Sequence, residues 1–258
     1  MRLSKWAYYA RSIPLLLGGV KNWTSVPIAL LGGGRGRIVR LADLSFLYRD
    51  AMDVWAIKET CLDDHYRVAG LALRPGDVVI DIGGGLGDFA IMVGRRHPQA
   101  RVLAFEPFPE SAALFRRNLA LNGAPNVTLV EQAVAGGDGA LSLDVSAKAS
   151  VQHSTVRAPA EGATIAVATR SLAAIFAEHA VERCAMLKLD CEGAEFDILL
   201  SLDQGLLARI DRISMEYHDA ATAFSHRDLE AFLGRAGFTL RRVASPVHAD
   251  LGYLYAQR

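Results

Sequence analysis

The alternation of apolar and polar positions divides the chain near residue 76. Before it the pattern is irregular: an apolar stretch over 13–31 is broken by Pro14, Lys21, Asn22 and Pro27. A loose period of two over 37–49 suits a short β-hairpin, and 53–72 reads as a helix with Val54, Ile57 and Cys61 on one face. Arg74-Pro75-Gly76-Asp77 is a turn signal. Beyond it, apolar strands alternate with helical stretches. A strand at 79–82 leads into Gly83-Gly84-Gly85-Leu86-Gly87 and a helix from Asp88. A second strand (102–106) precedes a helix (109–122) that stops at Asn122-Gly123. A third strand is expected over 127–134, a fourth over 186–190 and a fifth over 213–217, ending at His218. Two last strands, 238–243 and 253–255, suit an antiparallel pair at a sheet edge.

Such alternation predicts an α/β fold, with a seven-stranded, mostly parallel sheet covered by helices on both faces. Two regions are expected: an N-terminal extension, 1–75, and a main domain, 76–258. Regularity lapses over 136–170, where runs at 140–145 and 163–169 flank a polar middle, so an inserted hairpin is expected there. Ser225 with Asp228 has the spacing of a capping box for the helix that follows.

Charge adds one feature. Lysine plus arginine and aspartate plus glutamate both total 28, which argues against nucleic acid as the main partner. Residues 1–40 nevertheless hold Arg2, Lys5, Arg11, Lys21, Arg35, Arg37 and Arg40 and no acid. This segment is expected to pack as a helix on the domain, with peripheral membrane contact as the alternative. No stretch reaches the roughly 18–20 apolar residues of a membrane span, and no cleaved signal is expected. Cys61, Cys184 and Cys191 lack metal-ligand spacing, which suits reduced thiols in a cytoplasmic setting.

The glycine turn between a buried strand and a helix start points to a nucleotide-like ligand. Glu106 closes the second strand 19 residues after Gly87, where an acid can hydrogen-bond ribose hydroxyls. A dinucleotide fingerprint needs a third glycine three residues after the second; counted from Gly83 and Gly85, that position is Asp88. Asp81, at the end of the first strand, suits a ligand with an ammonium group. Together these features favour S-adenosylmethionine, held by Asp81, Gly83, Gly85, Gly87 and Glu106. Glu131 and Gln132, at the third strand, are candidates for the adenine.

Asp81-Ile82-Gly83-Gly84-Gly85-Leu86-Gly87, then Phe105-Glu106-Pro107-Phe108-Pro109-Glu110, Asn118-Leu119-Ala120-Leu121-Asn122-Gly123 and Lys188-Leu189-Asp190-Cys191-Glu192-Gly193-Ala194-Glu195 occur in this order. In these blocks the chain resembles the FkbM family of methyltransferases over roughly 78–218. Two positions depart: Gly84-Gly85 stands where the family usually has Ala-Asn, and Ser171-Leu172-Ala173 where Thr-Leu-Asp is common. The resemblance implies a Rossmann-like class I methyltransferase that O-methylates a hydroxyl on a sugar, glycan or secondary metabolite. A nicotinamide-dependent oxidoreductase and a non-catalytic membrane- or glycan-binding adaptor are the alternatives.

Lys188, Asp190 and Glu192 alternate, so an extended chain would point all three to one face. A hydroxyl acceptor benefits from a general base; Asp190, Glu192 and His218 are the candidates, with His218 favoured because an imidazole titrates near neutrality. Glu195 suits the start of the following helix. The spacing of Asp190, Glu192 and His218 does not demand a metal, and none is expected.

Overall fold

The structure is a computed structural model that describes residues 5–24, 26–27, 36–144, 164–219 and 221–258. The glycine run at 32–34 and the polar middle of the insertion lie outside those residues.

Helix α1 (Lys5–Gly19) precedes an antiparallel hairpin, β1 (Arg37–Arg40) with β2 (Ser45–Tyr48). Helix α2 (Ala51–Cys61) starts at Asp50, whose carboxylate accepts from the Met52 and Asp53 amides. It is shorter than the expected 53–72. After Leu62 the chain turns left-handed at Asp64 (φ 54°) and Arg67 (φ 60°), which no helix accommodates.

The main sheet has the order β5-β4-β3-β9-β10-β12-β11. Strands β3 (Val78–Ile82), β4 (Arg101–Phe105), β5 (Val127–Val130), β9 (Cys184–Leu189) and β10 (Arg212–His218) run parallel. The last two strands bring antiparallel pairing, but not only at the edge. β12 (Leu251–Gln257) inserts between β10 and β11 (Thr239–Ala244) and is antiparallel to both. The expected third strand breaks after Val130. Ala133 and Val134 form a separate strand, β6, in a small sheet with β8 (Thr164–Arg170) and β7 (Gly139–Asp144). β7 and β8 are the antiparallel pair expected of the insertion.

Strand parity sorts the buried residues onto two faces. Ile80, Ile82, Leu103, Leu187 and Leu189 face α5 (Leu172–Glu178), α6 (Ala194–Leu200) and α8 (His226–Arg235). Val79, Val102, Ala104 and Met186 face α3 (Asp88–Arg96), α4 (Pro109–Asn122) and the N-terminal region. Leu16, Phe46, Tyr48 and Ile57 share that second core, so residues before 76 pack directly on the sheet. Ser225 and Asp228 make the expected capping box at α8.

Strand order reverses between β3 and β9, and the crevice at their C-terminal ends is where ligands bind in open α/β sheets. The glycine loop follows β3, and Asp190 follows β9.

Candidate active site

Each glycine of the loop has its own role. A Cβ on Gly83 (φ 78°) would lie 1.8 Å from the Asp190 carbonyl oxygen, so this glycine lets the loop meet the end of β9. A Cβ on Gly87 (φ 92°) would lie 2.2 Å from the Phe115 ring, which makes that position a packing contact between α3 and α4. Gly85 (φ 53°) has nothing within 4 Å of such an atom and faces the cavity described below. Of the three glycines expected to hold the ligand, Gly85 offers an open approach.

Asp81 and Lys188 are cross-strand neighbours on β3 and β9. Lys188 Nζ lies 2.9 Å from Asp81 Oδ1 in an ion pair whose alignment leaves both carboxylate oxygens without a hydrogen bond. The ammonium also donates to the Gly83 carbonyl (2.7 Å) and reaches the Ile82 carbonyl at 3.4 Å. Burial raises the Asp81 carboxyl to about 6 against the pull of Lys188. Burial would lower Lys188, but Asp81 and then Asp190 outweigh it and keep the ammonium charged. The cavity wall includes Lys188 but not Asp81. Asp81 therefore lies beneath the site, and Lys188 ties it to the loop.

Glu106 is buried just past β4. Its Oε2 accepts from the Gly85 amide (2.7 Å) and its Oε1 from the Phe108 amide (2.8 Å). Burial raises this carboxyl to about 7, while the two amides pull it down. Gln132 reaches the cavity, but Glu131 does not. Glu131 is half-exposed and pairs with Arg116, because the break after Val130 turns it outward.

The expected alternation beyond β9 does not hold. The strand ends at Leu189, and Glu192 adopts a left-handed φ of 54°, a strained value for a non-glycine residue. Asp190, Glu192 and His218 still converge on the cavity. Asp190 Oδ2 accepts from the Tyr66 hydroxyl at 2.7 Å. His218 Nδ1 is 2.7 Å from Glu195 Oε1, and its Nε2 is 3.6 Å from Glu192 Oε2. Burial would lower the His218 imidazole, but the Glu195 hydrogen bond and charge, helped by Glu192 and Asp190, raise it to about 10. Glu195 also accepts from the Gly193 amide at 2.9 Å, so it starts α6 and fixes His218 together.

Tyr66 and Glu195 were not among the expected site residues. Glu195 had a signal in the acid at the start of α6; Tyr66 lies 124 residues before its partner and had none. Glu216, two positions before His218 on β10, also reaches the cavity, with its carboxyl pushed well up by burial and then by Asp190. Burial likewise raises the Cys191 thiol well above its ordinary value, which suits packing rather than nucleophilic chemistry. Among the described residues no group of three or more metal-ligating side chains is arranged for an ion.

Gly85, Glu106, Lys188, Asp190, Glu192, Glu216 and His218 open onto one cavity of about 1170 Å³. That exceeds the ~300–1,000 Å³ common for one small ligand, leaving room for a cofactor and an acceptor together. This strand order, the open Gly85 and a buried acid at the end of β4 define a Rossmann-like methyltransferase that uses S-adenosylmethionine. Residues 81–240 match the methyltransferase FkbM domain, and the chain belongs to that family. The nicotinamide alternative falls with that assignment.

The chain is 26% identical over 239 residues to the 31-O-demethyl-FK506 methyltransferase FkbM of Streptomyces tacrolimicus, covering 82% of this chain and 88% of that one. It is 29% identical over 252 residues to the AMB antimetabolite synthetase AmbE of Pseudomonas aeruginosa, covering 79% of this chain but 12% of that protein. The solved structure of methyltransferase FkbM from Methylobacillus flagellatus shares the fold, with a TM-score of 0.51 at 16% identity. That match covers 97% of this chain and 60% of that one.

Proposed function

We propose that the chain methylates a hydroxyl group of a small molecule or glycan, with Glu192 as the base and His218 and Glu195 holding it ready. The observation that carries this reading is the row Glu195–His218–Glu192, of which Glu192 and His218 line the cavity and Glu195 is buried behind them. One imidazolium between two carboxylates leaves a net negative charge able to accept one proton. With its imidazole raised to about 10, His218 is already protonated near neutral pH and cannot itself take the acceptor's proton. Glu192, a third exposed, is the member of the row that faces the acceptor.

S-adenosylmethionine, when bound, supplies a methyl group already activated on a sulfonium, so the protein has to align the acceptor and remove its proton. The residues present suit that cofactor. Each Glu106 oxygen keeps a lone pair beyond its backbone bond, free to accept from a ribose hydroxyl. Gly85 admits the ligand to the main chain. Asp88 and Asp190 are the acids beside the loop for the cofactor's ammonium, and Gln132 suits the adenine edge. Asp81 and Lys188 brace the loop from below. The name of the Streptomyces tacrolimicus relative, a 31-O-demethyl-FK506 methyltransferase, supports oxygen as the accepting atom.

A screen of hydroxylated metabolites and glycans with methyl-labelled cofactor tests the reading. Glu192→Gln should lower turnover by ~10²–10⁴-fold, the usual worth of a general base, and leave cofactor binding intact. Wild-type turnover in Glu192→Gln would remove Glu192 from the role.

A further inference from the structure

The cavity has buried ionisable groups at its floor and a rim that is apolar along α1, with His248 and Asp250 exposed elsewhere on it. Four large hydrophobic side chains on its wall are exposed, Ile13 (58%), Leu17 (52%), Trp23 (49%) and Met52 (40%), along with Pro27, His248 and Asp250. Ile13 and Leu17 are one helical turn apart on α1, in line with Tyr9. This exposure does not come from a loosely held helix. The adjacent stripe of α1 is fixed inward: Leu16 and Ser12 are buried, and the Tyr8 hydroxyl donates to Glu59. Glu59 also accepts from the Trp55 indole at 2.9 Å, and Lys58 Nζ lies 3.2 Å from the Tyr8 hydroxyl. α1 is thus anchored along one face and leaves an apolar stripe beside the opening.

The charge of the segment bears on what that stripe would meet. The first 40 residues carry seven basic side chains and no acid. Arg11, Lys21, Arg37 and Arg40 are exposed there. Among the described residues no helix is long and apolar enough to cross a membrane. Exposed apolar side chains with a tryptophan, in a segment whose charges are all basic, combine the two signals that together hold a protein on an anionic bilayer surface.

We propose that α1 and Trp23 dock on an anionic lipid surface, with the mouth of the cavity turned toward the bilayer. The acceptor is then an amphiphile, its hydroxylated head drawn to Glu192 and its apolar part lying along Ile13 and Leu17. The identity of the acceptor rests on the methyl-transfer reading; the docking does not.

Flotation of the full chain with vesicles tests the docking without any turnover. Vesicles of phosphatidylcholine with phosphatidylglycerol should carry the protein, and phosphatidylcholine alone should not. Added salt should weaken the binding, since surface charges are screened within ~10 Å at 0.1 M. The triple variant Ile13→Ser, Leu17→Ser, Trp23→Ala should bind anionic vesicles at least ~10-fold more weakly. Its thermal melt and its affinity for S-adenosylmethionine report separately whether the fold is intact. Equal binding to both vesicle types, no binding to either, or an intact variant that still floats would overturn the proposal. So would a dimer that the variant dissociates without any vesicle binding, which would assign the face to a second copy.

Discussion

At His218, burial and charge compete, and charge wins. The folded imidazole titrates at about 10, above its ordinary 6.5, so it contributes stability that is fully present below pH 6.5. That contribution is lost as pH rises through 10. The melting temperature should fall between pH 7 and about 10, and His218→Gln should flatten the fall, as thermal melts across that range would reveal. Once an acceptor is known, turnover should stay level from about pH 7 to 9, because His218 keeps its proton throughout. A tenfold rise per pH unit there would instead make His218 the base. The sequence singled out Asp190, Glu192, Glu106 and His218 as chemistry-bearing residues at the C-terminal ends of apolar strands, and the structure brings all four to one cavity. Asp81, expected to hold the cofactor, pairs instead with its cross-strand neighbour Lys188 and lies off the cavity wall, a pairing that one strand's pattern does not show. Tyr66 was illegible, because a bond across 124 residues leaves no local pattern.

At the scale of elements, the glycine loop divides into positions that pack and one that opens. Gly83→Ala would drive a methyl into the Asp190 carbonyl, and Gly87→Ala into Phe115, both at positive φ. Each should cost at least ~2 kcal/mol in denaturant melts. Gly85→Ala meets only the backbone penalty of ~1–2 kcal/mol, yet it should weaken cofactor binding by crowding the approach. Equal destabilisation by all three would contradict this division. Helix and strand existence followed from period and turn chemistry; boundaries did not. The helix expected to run to 72 stops at Cys61, where left-handed turns at Asp64 and Arg67 take over. The third strand breaks because Ala133 and Val134 pair with a strand contributed by the insertion. Neither competing interaction has a signature in the local hydrophobic pattern.

Across the whole molecule, one cavity links the loop after β3, the acids after β9, His218 on β10 and the N-terminal helix. The N-terminal region shares the core of the sheet's second face, and its Tyr66 supports Asp190. The extension thus forms one wall of the site it precedes in sequence. The parallel sheet and its glycine crevice were legible because buried strands and glycine turns recur in order. The packing of an N-terminal helix on the domain was expected, but the sharing of the sheet's core by residues 41–75 was not legible, because their apolar positions follow no single period. S-adenosylmethionine should bind this crevice through Glu106 and Gly85, apart from the proton-handling row at His218. Glu106 titrates at about 7 because burial penalises its charge, and its ionised form is the better acceptor. Titration calorimetry with S-adenosylmethionine, run on wild type, Glu106→Ala and His218→Ala at pH 6 and 8, tests the claim most directly. Wild type should show one site per chain, tighter at pH 8, with binding abolished in Glu106→Ala and retained in His218→Ala. No binding by wild type, or full binding by Glu106→Ala, would contradict it.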